Sequence, residues 1–407
     1  MQKQAPVYDR GTSYSVQSIL MFVVLLASYS INAMDRQIFP LVAADVRKEY
    51  GFSLAGAGLL STIFTLGMAI SGLPTGYLLT RFSRKTVLQF GIVVFSAATA
   101  LTAVSRSFAD MFVYRALTGI GEAMQFTTLL AIAAASFKRY RSTAVGAVNV
   151  CFGFGAIIGP IFGARLLAQY GSWRVPLMVF GVLGFLAVGV IATAVKSGFG
   201  EAQRGSQAHK HRGGEPSLAN PNTIILTVLS LIAGLIMYGY LGMYPTFLRE
   251  QLRFSPRDAG YIMSMYGFGG LTSMFGGWVG DRFSPRAVLS AAFLGAAGVG
   301  YLLFHGPHGF HVQAALSFLW AFLASGTIYV NISGYHVKAV HAQLASKASG
   351  VFVTSFYVSA TAAGYTFGWI ANRAGWPAAG VLQLSALGVI AACLAAALRP
   401  AAMQARD

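Results

Sequence analysis

Two carboxylates stand inside long apolar stretches of this 407-residue chain. The sequence contains 12 Asp and Glu residues, but only Asp35 and Glu122 lie well within such stretches. Arg36 is adjacent to the first of them, and Arg115 precedes the second by about two helical turns. An unpaired charge at the centre of a bilayer costs roughly 2.5–3.5 kcal/mol or more, so ionisable residues there are candidates for function by default.

These four residues favour coupled protonation and anion recognition. Burial disfavours the charged form of a carboxyl group, whereas a neighbouring guanidinium favours it. We therefore expect Asp35 and Glu122 to be protonated alternately as the protein changes shape. Guanidinium groups bind carboxylates in a bidentate way, so Arg36 and Arg115 are expected to contact an anionic substrate or the two carboxylates.

A second interpretation of the same residues is purely structural. The four charges would then only neutralise one another and fix the packing of helices. Arg36 also lies near enough to a membrane surface for its side chain to snorkel towards water.

The elements that must position these residues are predicted to be transmembrane helices. The chain is 56% hydrophobic and 10% charged, with a mean hydropathy of +0.62, which is too apolar for a soluble protein of this length. Apolar runs of about twenty residues recur throughout, each long enough to cross a bilayer. We predict an all-α polytopic membrane protein of twelve spans: 18–44, 55–79, 86–105, 108–136, 142–169, 174–196, 221–248, 257–280, 286–305, 311–336, 347–371 and 376–398.

The depth of the charges along these spans suggests which of them meet. Span 1 reaches Asp35 late and span 4 reaches Arg115 early, so both lie roughly 10–13 Å below the same membrane surface at about 1.5 Å rise per residue. A contact between spans 1 and 4 would pair them, whereas Glu122 lies about two turns deeper, near the midplane.

Basic residues predict the orientation. With the N-terminus inside, 18 of the 29 Lys and Arg residues fall in inner segments and eight in outer loops. This bias favours a cytoplasmic location for both termini and for the central linker. The short outer loops have no N-glycosylation motif, which favours a bacterial inner membrane. The net charge of +17 therefore reflects orientation in a lipid bilayer, and we expect no nucleic-acid partner.

The two halves of the sequence repeat each other. Gly76, Arg81 and Lys85 align with Gly277, Arg282 and Arg286 around the second span of each half. Upstream, Ala57-Gly58 aligns with Ala259-Gly260. We expect two six-helix bundles, 1–197 and 221–407, joined by a polar linker, 198–220. Such repeats are typical of secondary transporters, whose substrate site lies between the repeats.

The Gly-x-x-x-Asp-Arg-x-x-x-Arg segment at 277–286 resembles the signature loop of the major facilitator superfamily. The segments 115–119 and 155–163 are similar to the arginine-glycine motif of span 4 and the glycine-proline motif of span 5 in that superfamily. In the first copy of the loop, Thr80 stands where the family usually has aspartate. The resemblance implies alternating access and a gating latch on the inner side, formed by the loop residues Arg81, Lys85, Asp281, Arg282 and Arg286.

Two segments are similar to the anion:cation symporter family. They are Ile31-Asn32-Ala-Met-Asp35-Arg36 in span 1 and Arg115-x-x-x-Gly119-x-x-Glu122 in span 4. The resemblance implies proton-coupled symport of a small organic anion, a carboxylate or sugar acid. Spinster-like lipid transporters share both segments, so export of lysolipids or of amphipathic, drug-like compounds, including by proton antiport, remains the alternative.

Five further polar residues are expected to face a substrate cavity, with interhelical hydrogen bonding or packing as the equal alternative for each: Asn149, Tyr238, Tyr329, Asn331 and Tyr357.

Other classes of function lack their motifs. The sequence has no His-Glu-x-x-His zinc motif and no phosphate-binding P-loop. The histidines at 305, 308 and 311 have no acidic or cysteine partners nearby, so no metal site is predicted. We expect no enzyme activity and no cofactor, and we expect a monomer. A channel or receptor would not explain the duplicated loops.

Overall fold

All twelve predicted spans are present in the computed structural model, which describes residues 15–137, 140–201 and 215–403. Most of the predicted linker, 202–214, lies outside the described residues. Spans 1 to 6 are Val16–Tyr50, Leu54–Thr62 with Phe64–Arg81, Arg84–Val104, Phe108–Ser136, Arg141–Tyr170 and Arg174–Ala194. Spans 7 to 10 are Pro221–Glu250, Pro256–Leu271 with Ser273–Arg282, Pro285–His305, and Phe310–Leu323 continuing through Ala324–Tyr329 to Val330–Lys338. Spans 11 and 12 are formed by Ala345–Ala379, Gly380–Ala386 and Leu387–Ala396.

Ten helical segments of the described chain are long and apolar enough to cross a membrane. The twelve spans give only ten such segments for two structural reasons. Span 8 is interrupted at Thr272, which shortens each of its pieces. Spans 11 and 12 run together until the chain turns at Gly375, whose φ of +87° suits a residue without a side chain.

Three spans are irregular near the middle of the protein. Span 2 breaks at Ile63, span 8 breaks at Thr272, and span 10 contains a π-helical segment, Ala324–Tyr329. Transporter spans commonly lose regular geometry where they line a binding cavity, because backbone groups freed there find other partners. The irregular segments therefore indicate where a cavity lies.

Glycines bring the two halves into close contact. Spans 2 and 11 meet at Gly58 and Gly364, where a Cβ added to either residue would overlap the backbone carbonyl of the other. Spans 5 and 8 meet at Gly260, where an added Cβ would lie 2.7 Å from the carbonyl oxygen of Pro160. Small residues allow helix backbones to approach this closely within a membrane. The aligned glycines of the sequence repeat, Gly58 and Gly260, therefore serve the same purpose in each half.

The two ends of the helix bundle differ. We call the end with the 198–220 linker the linker face and the opposite end the far face. Gly58, Gly260 and their partners lie towards the far face, where Arg249 of span 7 also binds Asp45 of span 1. The structure is therefore closed at the far face.

Candidate functional site

A cavity lies between the halves. Spans 1, 2, 4 and 5 of one half and spans 7, 8, 10 and 11 of the other contribute to its wall. Nine of its lining residues are aromatic: Tyr29, Phe64, Phe126, Phe152, Tyr238, Tyr266, Tyr329, Phe356 and Tyr357. A second cleft shares Asn149, Ser273 and Val330 with it and extends past Val150 and Met274 towards the linker face. The cavity is thus closed on the far side and continues towards the linker face.

Arg36 lines this cavity. Its Nε lies 3.2 Å from Oε2 of Glu122 and donates a 3.0 Å hydrogen bond to Oδ1 of Asn32. Nη2 has no hydrogen-bond partner, and the guanidinium lies 5.6 Å from the centre of the Phe152 ring. The side chain is only 6% exposed. Nε is therefore held by protein, while Nη2 is buried without a partner.

A polar network joins spans 1 and 4 behind Arg36. The amide nitrogen of Asn32 donates to the Glu122 carbonyl at 3.2 Å and to Oε1 of Gln125 at 2.9 Å. Nε2 of Gln125 in turn donates to Oγ of Ser28 at 3.1 Å. These contacts fix the orientation of the Asn32 side chain. Its oxygen then accepts the hydrogen bond from Nε of Arg36. The network makes Arg36 a positioned group, because few rotations remain open to it.

Asp35 is buried in the same half but does not line the cavity. Its Oδ2 accepts a 2.9 Å hydrogen bond from Thr99 of span 3, and its Oδ1 has no partner. The carboxyl groups of Asp35 and Glu122 are close enough to share a hydrogen bond when one of them is protonated. Both residues are fully buried. The arrangement can therefore hold one proton between two carboxyl groups.

Arg115 is buried beside these carboxyl groups but away from the cavity wall. Its guanidinium lies 4.9 Å from the Phe39 ring centre and 5.3 Å from that of Phe64, and none of its three side-chain nitrogens has a hydrogen-bond partner. Its charge acts mainly on Asp35, although the two form no contact within 4.0 Å among the described residues. The close ion pair is Arg36 with Glu122, so the pairing of Asp35 with Arg115 suggested by depth is only a longer-range attraction.

The remaining predicted substrate residues fall in two places. Asn149, Tyr238 and Tyr357 line the cavity together with Arg36. Asn331 lies between spans 8 and 10, where its amide nitrogen donates to the carbonyl oxygens of Gly276 and Thr327 at 2.9 and 2.8 Å. For Asn331 the structure thus shows the interhelical hydrogen bond that was the alternative interpretation.

The predicted gating residues make contacts within their own halves. Lys85 donates to the carbonyls of Ala192 and Val195 at the end of span 6, and Arg286 donates to that of Leu398 near the end of span 12. These two aligned residues cap aligned helix ends, where basic side chains are favourable.

The other three gating residues also pair locally. The Nζ atom of Lys338 lies 2.8 Å from Oδ1 of Asp281. Arg81 packs on the Tyr77 ring, and Arg282 packs on the Trp278 ring. All of these contacts lie within one half of the protein, as expected if the two halves are separated at the linker face.

Ion pairs at the far face were not anticipated from the sequence. Both terminal nitrogens of Arg249 bind the two carboxylate oxygens of Asp45 at 3.1 Å, and Nη1 of Arg47 lies 2.9 Å from both oxygens of Glu250. Spans 1 and 7 therefore each provide one acid and one base to two crossed bridges. No sequence signal identifies them, because such charges at helix ends resemble ordinary loop charge.

Neutralising these bridges is expected to open the far face more often. In a D45N/E250Q double variant, loss of two partly exposed pairs removes about 1 kcal/mol in total, roughly a fivefold shift in population. The measurement is labelling of a Ser61→Cys cavity residue by an impermeant maleimide from the far face, with Cys151 and Cys393 replaced by Ala. Glu49→Gln is the control, since its partner Arg174 lies in the same half. Equal labelling of the double variant and the control would show that the bridges do not bias the closed state.

Several known proteins are similar to this chain in sequence. The chain is 26% identical over 268 residues to "Protein spinster" of Drosophila melanogaster, covering 65% of this chain and 44% of that protein. It is 26% identical over 317 residues to "4-hydroxybenzoate transporter PcaK" of Acinetobacter baylyi, covering 69% of each. It is 28% identical to "Probable anion transporter 4, chloroplastic" of rice (Oryza sativa subsp. japonica), covering 65% and 48%. The chain spans about half the length of the spinster relatives that it matches.

Solved structures share the fold. A bacterial homologue of the human lysosomal transporter spinster, in an inward-facing and unoccupied conformation, matches with a TM-score of 0.72 at 17% identity, covering 94% of this chain and 96% of that one. A D-xylose-proton symporter matches with a TM-score of 0.74 at 15% identity, covering 94% and 98%.

These comparisons group the chain with transporters and not with enzymes, as the sequence predicted. They also confirm the predicted fold of twelve spans in two bundles. The family model of the Major Facilitator Superfamily matches residues 25–365, most of the chain. The protein is therefore a multi-pass membrane protein that belongs to the Major Facilitator Superfamily.

Proposed function

We propose that this protein is a secondary active transporter that carries a small organic carboxylate together with a proton by alternating access. One observation carries the proposal: the buried side chain of Arg36 lines a cavity between the halves, with its Nη2 unpaired and its Nε 3.2 Å from Oε2 of Glu122. A carboxylate is the natural partner for such a guanidinium group.

Charge balance in the dry interior supplies the coupling. Asp35 and Glu122 together with Arg36 and Arg115 sum to zero when all four are ionised, and all are buried in the same half. A carboxylate arriving at Arg36 adds one negative charge, which is costly in a medium of low dielectric constant. One proton on the carboxyl pair restores neutrality. Anion binding and proton binding should therefore favour each other.

The relatives support this class of substrate. Two of them are named for anions, a 4-hydroxybenzoate transporter and a probable anion transporter, and one structural neighbour is named as a proton symporter. The match with the benzoate-type carrier extends over 69% of both chains.

The membrane arrangement completes the proposal. We place the linker face in the cytoplasm of a cell with the protein in its inner membrane, so that the state seen here is open inwards. The domains are 1–197 and 221–407, joined by 198–220, and one chain suffices for transport. When the linker face closes, Arg81, Lys85, Asp281, Arg282 and Arg286 act as its latch.

Purified protein in liposomes tests the proposal. A pH gradient, acidic outside, should drive accumulation of a radiolabelled carboxylate from a panel that includes 4-hydroxybenzoate and gluconate, and a protonophore should abolish it. Absence of gradient-driven uptake and of counterflow for every carboxylate would reject the assignment.

Arg36→Lys should lower carboxylate affinity about tenfold while the protein still folds. Lysine keeps the positive charge beside Glu122 but lacks the planar fork that binds a carboxylate bidentately. Affinity is measured from the concentration dependence of counterflow. The matched control is Arg106→Lys, an exposed far-face residue that should behave as the wild type. Unchanged affinity in Arg36→Lys would remove Arg36 from the substrate site.

A second candidate is export of lysolipid or amphipathic compounds. The cleft between spans 5 and 8, next to the 79% exposed side chain of Met274, favours it because an amphipathic molecule could pass there from the bilayer. The spinster relatives support it as well. Gradient-driven efflux of a fluorescent lysolipid, without transport of carboxylates, would select this candidate.

A further inference from the structure

The aromatic wall of the cavity restricts the cargo further. We propose that the carboxylate carried by this protein is an aromatic one, bound with its carboxylate on Arg36 and its ring among the aromatic side chains of the C-terminal half. The inference rests on the proposed function and specifies its substrate class.

The positive charge in the cavity wall determines where the carboxylate end of the cargo binds. Among the lining residues that the structure describes, Arg36 is the one charged side chain. Its unpaired Nη2 belongs to a residue that is more than nine-tenths buried. An anion entering the cavity therefore has a single cationic partner, on the wall formed by span 1.

Aromatic rings of the C-terminal half line the same cavity as Arg36. Among them are Tyr238 and Tyr357, which belong to spans 7 and 11. The Tyr238 ring centre lies 6.1 Å from that of Tyr357 at an interplanar angle of 64°, and 6.0 Å from that of Phe356 at 71°. These edge-to-face arrangements form an aromatic surface that a further planar ring can join in the same way.

The same wall disfavours a sugar acid. Tyr329 and Tyr266 stand among other rings: the Tyr329 ring centre lies 5.0 Å from that of Phe356, and the Tyr266 ring centre lies 5.9 Å from that of Tyr240. Aromatic ring faces are poor hydrogen-bond partners for a cargo with a hydroxyl on nearly every carbon. Such a cargo would leave several of its own polar groups unpaired in the cavity.

A ligand of this shape would also touch both halves. Its carboxylate would bind span 1 of the N-terminal half, and its ring would pack on spans 7 and 11 of the C-terminal half. Tyr238 already bridges the halves, since its ring centre lies 5.9 Å from that of Phe64 in span 2. Occupancy would therefore strengthen the contact between the halves.

Three carboxylates distinguish an aromatic cargo from an aliphatic acid and from a sugar acid. They are benzoate, cyclohexanecarboxylate of similar size, and gluconate. Affinities for the purified protein are measured by calorimetry and by the rise in melting temperature that a native-state ligand causes. We expect benzoate to bind about tenfold more tightly than cyclohexanecarboxylate, because about two aromatic contacts are gained beyond the shared apolar area. Gluconate should bind weakest.

Two variants test the assigned surface. Tyr238→Leu should reduce the preference for benzoate over cyclohexanecarboxylate to about twofold, while Tyr238→Phe should keep it, since the ring remains. Equal affinities for the two acids in the wild type, or preference for gluconate, would overturn the aromatic inference and leave proton-coupled carboxylate transport standing. Binding of none of the three, with no uptake of any carboxylate, would instead overturn the proposed function.

Discussion

Replacing Glu122 by Gln is expected to abolish accumulation driven by a pH gradient while leaving counterflow of the same anion intact. Glutamine resembles the protonated carboxyl in shape but cannot release a proton. With Glu122 permanently neutral, Arg36 and Arg115 face only Asp35, so the site keeps a net positive charge that suits an anion. Binding should persist, but it should no longer require a proton from solution.

The expected effect is large. With one proton per monovalent anion, a gradient of two pH units supports at most roughly a hundredfold accumulation, since each pH unit is worth one factor of ten. The variant should equilibrate the anion without concentrating it. Wild-type affinity should weaken as the pH rises, because the anion needs a proton partner, whereas affinity in the variant should depend less on pH.

Glu201→Gln provides the matched control. Glu201 is exposed beside the linker face and accepts a hydrogen bond from the backbone of Arg84, far from the cavity. This variant should accumulate the anion as the wild type does. Full accumulation in Glu122→Gln would exclude Glu122 as the coupling group and leave Asp35 as the remaining buried carboxyl of the site.

The spans and the fold were predictable because bilayer thickness imposes a length and a composition on each helix. The aligned loops of the two halves then indicated the family, which the family model confirms. The same reasoning identified the two buried carboxyl groups and their arginines, since charge inside an apolar run is conspicuous in a sequence.

Pairing was harder to predict than position. Depth along a helix gives the height of a side chain but not the direction in which it points. Asp35 and Arg115 share a height, yet Arg36 is the residue that contacts Glu122. The direction is set by Asn32 and Gln125, whose amide groups have no charge to mark them in an apolar span.

The contacts between the two halves could not be predicted from the sequence, for a related reason. Asp45 and Arg249 are far apart in sequence and meet only because spans 1 and 7 converge at the far face. Gly58 and Gly260 were recognised as repeated, but the residues opposite them depend on the state of the transporter. The pattern of residues along the chain does not reveal which state is populated.

Gly364→Ala is expected to shift the protein towards states that are open at the far face. The added Cβ would overlap the carbonyl oxygen of Gly58 and lie 2.6 Å from its carbon, so spans 2 and 11 must separate. Overpacking of a tight contact costs typically 1–3 kcal/mol, and about 2 kcal/mol corresponds to roughly a thirtyfold change in population. In alternating access this contact exists only while the far face is closed, so the cost falls on that state alone.

Labelling of the cavity cysteine at position 61 from the far face measures the shift, in the background without Cys151 and Cys393. Gly350→Ala is the matched control, because Gly350 lies on the same span and a Cβ added to it would meet nothing within 4 Å. Gly119→Ala distinguishes a change of state from loss of stability. Its Cβ would meet the backbone of Phe64 within the N-terminal half, so it should lower the melting temperature without faster labelling. If Gly364→Ala behaves like Gly119→Ala, the glycine contact holds the protein together in every state, and far-face closure must depend on the ion pairs of spans 1 and 7 instead.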